Sequence, residues 1–227
     1  LNPLSKISII LLPSIYLIFN GISINNLGNY EYIGILHLGK FELPFLILAI
    51  GLFVNATNYI DGIDGLLLIF FISCITYYIF IIDDPKIITL FGLILIPAII
   101  NLILNMLPNS SNLKFFTGDA GSLFIGFFIC FLTIELYRTQ NIHPTYLIWP
   151  LWYPVYDFLY VSICRLSNNK SLLEPDKSHF HQIIFYKFNE NRYKSILFFL
   201  VLSTTVITSG YFLSNQSKIL SLVLFII

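Results

Sequence analysis

Charged residues are scarce in this chain. Only 11% of its 227 residues are Asp, Glu, Lys or Arg, whereas soluble domains carry about 25%. The mean hydropathy is +0.83, and 57% of the residues are hydrophobic. The scarcity of charge therefore argues against an ordinary soluble domain and favours a protein that lies in the membrane bilayer.

The chain also lacks an excess of either sign of charge. Its 12 basic residues balance 12 acidic residues, so no overall positive field would attract nucleic acid, and we expect no nucleic-acid partner. Cysteine is scarce as well, and Cys74, Cys130 and Cys164 all lie in apolar runs. Disulfide frameworks usually join loops, so these residues are predicted to be buried free thiols.

Long apolar runs fill most of the sequence. A helix needs about 20 apolar residues to cross the hydrocarbon core, and the runs predict an all-α, polytopic transmembrane helical bundle with about eight spans in a single domain, residues 1–227. The predicted spans are Ile7–Ile24, Leu43–Asn58, Leu66–Ile82, Ile87–Leu107, Ala120–Tyr137, Thr145–Cys164, Ile196–Leu213 and a short run after Lys218.

The connections and the two ends of the chain give further expectations. The stretch Asn25–Glu42 contains several glycines and is predicted to be a loop or a short hairpin. The chain begins with Leu1 rather than Met, and its last apolar run is too short to cross a bilayer. We therefore expect the chain to be truncated at both ends.

Alternation of the spans divides the polar stretches between two sides of the membrane. One side receives residues 1–6, Asn55–Leu66, Pro108–Asp119 and Arg165–Lys194, and it carries eight of the 12 basic residues. The positive-inside rule predicts that this side is cytoplasmic, in a multi-pass protein of the inner (plasma) membrane. The acidic pair Asp83-Asp84 falls on the other side and is predicted to be a solvated turn.

The first polar motif, N-A-T-N-Y-I-D-G-I-D-G-L, runs from Asn55 to Leu66. On a helix, Asn55, Asn58 and Asp61 follow each other at three-residue spacing and share one face. Their amide and carboxylate oxygens are ligands that suit Mg²⁺, and Gly62 would let the backbone approach a ligand closely. The alternative is an Asn-, Asp- and Gly-rich turn that only ends the helix.

The second motif, F-T-G-D-A-G-S, places Asp119 where the fifth span begins. A helix N-terminus favours an anionic phosphate, and a carboxylate there could hold a divalent cation beside that phosphate. A simple helix cap is the alternative.

The third motif, E-P-D-K-S-H-F-H-Q, lies in the long basic segment. Lys177, His179 and His181 could donate hydrogen bonds to a sugar phosphate, whereas a solvated basic loop is the alternative. Zinc is disfavoured because no Cys or additional His accompanies the pair. Asp157, inside the sixth span, would be costly unless paired, and Arg165 could reach it only if the helix end bends.

Taken together and in this order, the three motifs resemble those of the polyprenyl-phosphate N-acetylhexosamine-1-phosphate transferases, relatives of the phospho-MurNAc-pentapeptide transferase. The resemblance implies transfer of a sugar 1-phosphate from a UDP-N-acetylhexosamine to a polyprenyl (undecaprenyl) phosphate, with release of UMP. It implies Mg²⁺, with Mn²⁺ as an alternative, and it is compatible with a homodimer. Such a reaction would initiate a cell-envelope polysaccharide such as that of lipopolysaccharide.

The resemblance also assigns roles to residues of the three motifs. It implies that Asn58 and Asp119 hold the metal. It implies catalytic roles for Asp61, Asp64, His179 and His181, and substrate binding by Asn55, Gly62, Asp176 and Lys177. These residues leave open whether the transfer is direct or passes through a covalent aspartyl intermediate.

Two departures from the family pattern concern the third motif, where Lys177 stands in place of the usual Arg and Gln182 in place of a further His. A third concerns the start of the chain, since the family carries an Asp-Asp pair just before the span that begins here at Ile7. We expect that pair upstream of Leu1, and we expect the 227-residue chain to be inactive without it. The alternative functions are the pentapeptide transferase and, more remotely, a membrane transporter.

Overall fold

The computed structural model describes residues 3–168 and 179–227. Its helices are α1 (Pro3–Phe19), α2 (Glu42–Ile60), α3 (Leu66–Ile81), α4 (Pro85–Asn105), α5 (Gly118–Thr139), α6 (Pro144–Ile148), α7 (Trp152–Ser167), α8 (Phe180–Lys187), α9 (Arg192–Gln216) and α10 (Lys218–Ile226). Two short strands, β1 (Asn26–Tyr30) and β2 (Gly34–His37), lie between α1 and α2, and 3-10 turns cover Gly39–Phe41 and Trp149–Leu151.

This arrangement confirms the predicted all-α membrane bundle. Within the described residues, four helical segments are long and apolar enough to cross a membrane: Gly39–Ile60, α4, α5 and α9. Helix α3 is a shorter apolar helix. The predicted loop or hairpin at Asn25–Glu42 is a hairpin, since β1 and β2 pair antiparallel with Asn29 opposite Ile35.

The predicted sixth span, Thr145–Cys164, is not a single helix. It is divided into α6, a 3-10 turn and α7. Pro144 begins α6, and Pro150 lies in the first positions of the 3-10 turn. Proline has no N–H to donate and clashes with the preceding turn of an α-helix, so the run is interrupted although its hydropathy is continuous.

Helix α7 buries one narrow stripe of side chains. Tyr153, Asp157, Val161 and Arg165 recur at four-residue spacing, and all are buried. Cys164 lies beside this stripe and is partly exposed, whereas Cys74 and Cys130 are buried free thiols as predicted. The same spacing places Tyr153 and Asp157 one helical turn apart on the buried face.

Helices α2 and α5 pack closely against each other. A Cβ on Gly126 of α5 would lie 2.1 Å from the Thr57 Oγ1 and 3.1 Å from the Val54 Cα, both on α2. The Thr57 hydroxyl donates to the Val54 carbonyl oxygen at 2.8 Å, so it is satisfied inside the contact. Because only glycine fits at position 126, the end of α2 can reach the start of α5.

The bundle has two different ends. The motif end holds the loop Asp61–Gly65, the loop 106–117 and helix α8. The hairpin end holds β1 and β2, the turn after α3 and the corner between α9 and α10. Helix α3 runs from the motif end towards Asp83 and Asp84, so these two carboxylates lie at the hairpin end.

Candidate active site

The loop Asp61–Gly65 follows α2 directly, with Asp61 as the C-cap residue. Gly65 ends the loop with φ +84°, and a Cβ there would lie 2.6 Å from the Met106 Sδ. The Gly65 N–H donates to the Asn105 side-chain oxygen, and the Asn105 Nδ2 donates to the Phe115 carbonyl oxygen at 2.8 Å. Asn105, which the sequence did not single out, therefore ties this loop to the loop before α5.

Asn58 and Asp119, the predicted metal ligands, are in direct contact. The Asn58 Nδ2 donates to the Asp119 Oδ1 at 3.0 Å and to the Ser122 Oγ at 2.7 Å. Asp119 lies in the first turn of α5, as expected for the start of the fifth span. Asn55 lies on α2 about one turn before Asn58 and is half-buried. The structure thus brings the first two motifs together, while the metal role of this pair stays a prediction.

Asp61 lies among other carboxylates. Burial raises the pKa of the Asp61 carboxyl to about 6, and the negative charges of Asp64 and Asp119 add to the rise. Like charges that share a site disfavour ionisation of one another. Carboxylates in such an environment gain stability when a cation neutralises them, whether the cation is a metal or a basic side chain.

Asp64 is engaged by two basic side chains. The Lys114 Nζ lies 2.5 Å from the Asp64 Oδ2, and the Arg192 guanidinium donates to the same oxygen at 3.2 Å. The Lys114 side chain is only 2% exposed, so its ammonium group depends on these partners, which include the Asn109 Oδ1 at 2.5 Å. Asp64 therefore joins three segments of the motif end.

Lys114 and Arg192 were not predicted as site residues. In the sequence they are only two of the eight basic residues on the side of the membrane that is predicted to be cytoplasmic. Because they lie 50 and 128 residues from Asp64, no local pattern links them to it.

The two histidines of the third motif are buried beside the first motif. His179 is 4% exposed and His181 is 0% exposed. The Tyr59 ring stacks on the His179 ring at 5.1 Å, and the two imidazole rings stack at 5.5 Å. A Cβ on Gly62 would lie 2.9 Å from the His181 Nε2, so the glycine makes room for this imidazole.

Helix α7 supplies the hydrogen-bond partners of both histidines. The Asp157 Oδ2 lies 2.7 Å from the His179 Nδ1, and the Tyr153 hydroxyl lies 2.9 Å from the His181 Nδ1. Burial lowers the pKa of His181 to about 4, so this ring is neutral at physiological pH. Asp157 is thus paired with His179, a partner that the sequence did not suggest.

The remaining two predicted substrate-binding residues, Asp176 and Lys177, lie outside the described residues. Within the described part of the chain, no group of three or more His, Cys, Asp or Glu side chains converges as a metal-binding cluster. The first two motifs and the histidines of the third nevertheless meet at one end of the bundle.

Two concave surfaces border this site. A cleft of about 600 Å³ opens at the motif end, and its lining includes Gly62, Asp64, Asn109, Arg192 and Tyr193. An apolar groove of about 450 Å³ runs along α2 from the hairpin end to the motif end, and its lining includes Ile24, Tyr137, Phe53, Ala56 and Phe158. The Phe158 ring stacks on Tyr59 at 6.3 Å, so the groove ends beside the histidines.

Comparison with known proteins shows which family the chain belongs to. Residues 1–137 match the model of the family described as glycosyl transferase family 4, which is more than half of the 227-residue chain. The chain belongs to this family. The match includes α2 and the start of α5, and therefore includes both Asn58 and Asp119.

Named relatives of this family 4 member point in the same direction. A protein of Escherichia coli O157:H7 named undecaprenyl-phosphate alpha-N-acetylglucosaminyl 1-phosphate transferase is 29% identical over 177 residues, which are 75% of this chain and 48% of that protein. Proteins of the same name from E. coli K12 and Yersinia pestis are 31% and 29% identical, over 69% and 65% of this chain and 43% and 42% of their own lengths. The chain thus spans less than half the length of these relatives.

Proposed function

We propose that this chain belongs to a membrane enzyme that transfers N-acetylhexosamine 1-phosphate from a UDP-sugar to polyprenyl (undecaprenyl) phosphate. The names of the relatives favour UDP-N-acetylglucosamine as the donor. The observation that carries the proposal is the direct contact of Asn58 with Asp119 in a glycosyl transferase family 4 chain, in which the adjacent Tyr59 stacks on His179. The product would initiate a cell-envelope polysaccharide.

The chemistry is phosphoryl transfer. An oxygen of the lipid phosphate attacks the phosphorus that carries the sugar, and the bond from that phosphorus to the bridging oxygen breaks. UMP leaves with the bridging oxygen, and the sugar remains on a lipid-linked diphosphate. Enzymes accelerate such reactions mainly by positioning the groups and stabilising their charge.

The donor chemistry of Asn58 and Asp119 fits Mg²⁺, or Mn²⁺ as an alternative. Mg²⁺ in phosphoryl-transfer sites is held by one or two carboxylates together with oxygens of the substrate phosphates. Asn58 and Asp119 would hold the ion, and it would supply charge neutralisation at the diphosphate. The carboxylate of Asp61, whose pKa is raised to about 6 by burial and neighbouring negative charge, is consistent with a site built for a cation.

The residues around Asn58 and Asp119 would bind the UDP-sugar. Asp64, with Lys114 and Arg192, would shape the cleft for the nucleotide, and Gly62 would allow close approach of the backbone. His179 and His181 would contact the sugar-phosphate part. Lys177 and Asp176 keep their predicted roles in substrate binding.

The apolar groove along α2 would hold the acceptor lipid. Its lining is apolar over about 450 Å³, and one end includes Phe158, whose ring stacks on Tyr59, the residue after Asn58. A polyprenyl chain in this groove would lead its phosphate to the site while the chain remains in the bilayer. We infer from the distribution of Lys and Arg that the motif end lies on the cytoplasmic side of the inner membrane.

A transfer assay tests the function. Membranes containing the full-length protein are incubated with undecaprenyl phosphate, Mg²⁺ and sugar-labelled UDP-GlcNAc, UDP-GalNAc or UDP-MurNAc-pentapeptide in parallel. We expect label in the lipid extract with UDP-GlcNAc, together with released UMP. Preferential use of UDP-MurNAc-pentapeptide would instead support the pentapeptide branch, and label that accumulates in sealed vesicles without any lipid product would support a transporter.

A further inference from the structure

Asp157 is a buried carboxylate in the apolar helix α7, and its hydrogen-bond partners indicate what its side chain does. Its side chain is 3% exposed. Burying an ionised carboxylate is costly unless partners are built around it. The structure provides such partners just after residue 178, at His179 and Phe180.

Both oxygens of Asp157 are used at the start of α8. The Oδ2 lies 2.7 Å from the His179 Nδ1, and the Oδ1 accepts a hydrogen bond from the Phe180 N–H at 2.7 Å. His179 is the N-cap residue of α8, and its own side chain does not cap the helix. Asp157 therefore supplies the cap that α8 lacks and fixes the position of the His179 ring at the same time.

The contact also fixes the tautomer of His179. An ionised carboxylate can only accept hydrogen bonds, so the His179 Nδ1 must carry a hydrogen. In the neutral ring, Nε2 then presents a lone pair on the other edge of the imidazole. Tyr59 stacks on the ring at 5.1 Å and limits its rotation.

We propose that Asp157 is a positioning residue that holds His179 in the Nδ1–H tautomer, so that Nε2 accepts a hydrogen bond from a hydroxyl or amide N–H of the sugar nucleotide. This inference rests on the proposed function. Tyr153, one helical turn earlier on α7, holds the Nδ1 of His181 in a parallel arrangement at 2.9 Å. Helix α7 thus orients both imidazoles from behind.

Asp157→Asn is the variant that separates this role from simple packing. The Asn oxygen can still accept from the Phe180 N–H, but its NH₂ group would then face the His179 Nδ1. That nitrogen must become an acceptor, so the hydrogen moves to Nε2 and the edge facing the substrate changes from acceptor to donor. A comparable Asp→Asn change in a serine protease triad imposes the wrong tautomer and lowers kcat by about 10⁴.

The first measurement is the histidine tautomer, read from ¹⁵N–¹H correlations of ¹⁵N-histidine-labelled protein in lipid nanodiscs at pH 8. The sequence has four His residues, and a His179→Gln variant assigns the relevant signal. We expect a hydrogen on Nδ1 in the wild type and on Nε2 in Asp157→Asn. A wild-type Nδ1 without hydrogen, or a wild-type Nε2 that carries one, would overturn the proposal, and this result is obtained even if the variant does not fold.

The second measurement is steady-state kinetics of Asp157→Asn against Asp83→Asn, an exposed carboxylate at the hairpin end. We expect kcat to fall by roughly 10²-fold or more in Asp157→Asn with little change in KM for the UDP-sugar, and no change in Asp83→Asn. An active Asp157→Asn variant with wild-type kcat would reject this inference alone. Absence of transfer by the wild type would reject the proposed function, while the tautomer measurement would still decide the positioning.

Discussion

Both ends of the bundle collect polar side chains, but they use them differently. At the hairpin end the Glu31 carboxylate accepts from the N–H groups of Lys218 and Ile219 at 2.9 and 3.0 Å. The Lys218 ammonium donates to the Tyr146 hydroxyl at 2.8 Å and lies over its ring. These groups satisfy one another, and they join the hairpin to the corner between α9 and α10.

The motif end holds polar groups that do not fully satisfy one another. Burial raises the pKa of Asp61, and the negative charges of Asp64 and Asp119 add to the rise. The His181 Nε2 is buried without a hydrogen-bond partner among the described residues. Buried polar groups are normally paired, so the unpaired imidazole nitrogen supports the proposal that the motif end binds a ligand, whereas the Glu31 contacts join two structural elements of the hairpin end.

Loss of either predicted metal ligand should have the largest effect. We expect Asp119→Ala and Asn58→Ala each to lower transfer by roughly 10²-fold or more, because removal of one charge-stabilising group commonly costs 10²–10³. Transfer is measured in membranes at saturating Mg²⁺, with Asp83→Ala as the control at the other end. Near-normal transfer by either variant would refute the metal assignment.

Asp64→Asn should have the next largest effect. The change leaves the nearly buried Lys114 ammonium and the Arg192 guanidinium without their shared carboxylate. Leaving a buried polar group unpaired lowers the free energy of unfolding by about 1–3 kcal/mol. We therefore expect a lower melting temperature, and a higher KM for the UDP-sugar because the cleft is less well ordered. A variant with unchanged melting temperature and KM would show that the three segments do not depend on this contact.

His181 should make stability depend on pH. Burial lowers its pKa to about 4 in the folded protein, against 6.5 for an ordinary histidine. The unfolded chain therefore binds a proton as pH falls from about 6.5 to 4 while the folded chain does not, so stability is lost in that window, by at most roughly 3 kcal/mol.

Thermal unfolding in detergent tests this dependence. Between pH 6.5 and 4.5, we expect the melting temperature of His181→Asn to fall less than that of the wild type. His37→Asn, which changes an exposed histidine at the hairpin end, should follow the wild type. Parallel curves for His181→Asn and the wild type would contradict the burial argument.

The smallest effect is expected at the hairpin end. The backbone N–H groups of Lys218 and Ile219 lower the pKa of Glu31 to about 2, so its contribution is present above about pH 4.5 and is lost as pH falls towards 2. At pH 7 we expect Glu31→Gln to leave transfer within about twofold of the wild type, because Glu31 lies on the surface at the other end of the bundle from the candidate site. A tenfold loss of transfer would show that the two ends are coupled.

Much of the fold could be predicted because the bilayer imposes long apolar runs. The glycines of Asn25–Glu42 predicted a loop or hairpin, and alternation of spans put the first two motifs on one side of the membrane. The fifth span, predicted to begin at Ala120, begins as α5 at Gly118. The interruption of the sixth span at Pro150 was not predicted, because hydropathy does not depend on whether a residue has a backbone N–H. Sequence alone therefore identifies which runs are apolar better than it identifies where a helix is broken.

The sequence named several residues of the candidate site, but it did not predict which side chains contact one another there. Asn58 and Asp119 belong to recognisable motifs, whereas Lys114, Arg192 and Asn105 act through partners far away in the sequence. Asp157 was conspicuous as a carboxylate in an apolar run, but its partner His179 lies 22 residues further on. Long-range pairing of this kind depends on tertiary packing, which no local spacing encodes.

The most direct test follows the phosphorus atom of the donor. UDP-GlcNAc labelled with ³²P at the phosphate attached to the sugar and with ³H in the sugar is incubated with the full-length protein and undecaprenyl phosphate. Sugar 1-phosphate transfer predicts that both labels enter the lipid in a 1:1 ratio and that UMP is released. Entry of ³H without ³²P, with release of UDP, would contradict the account.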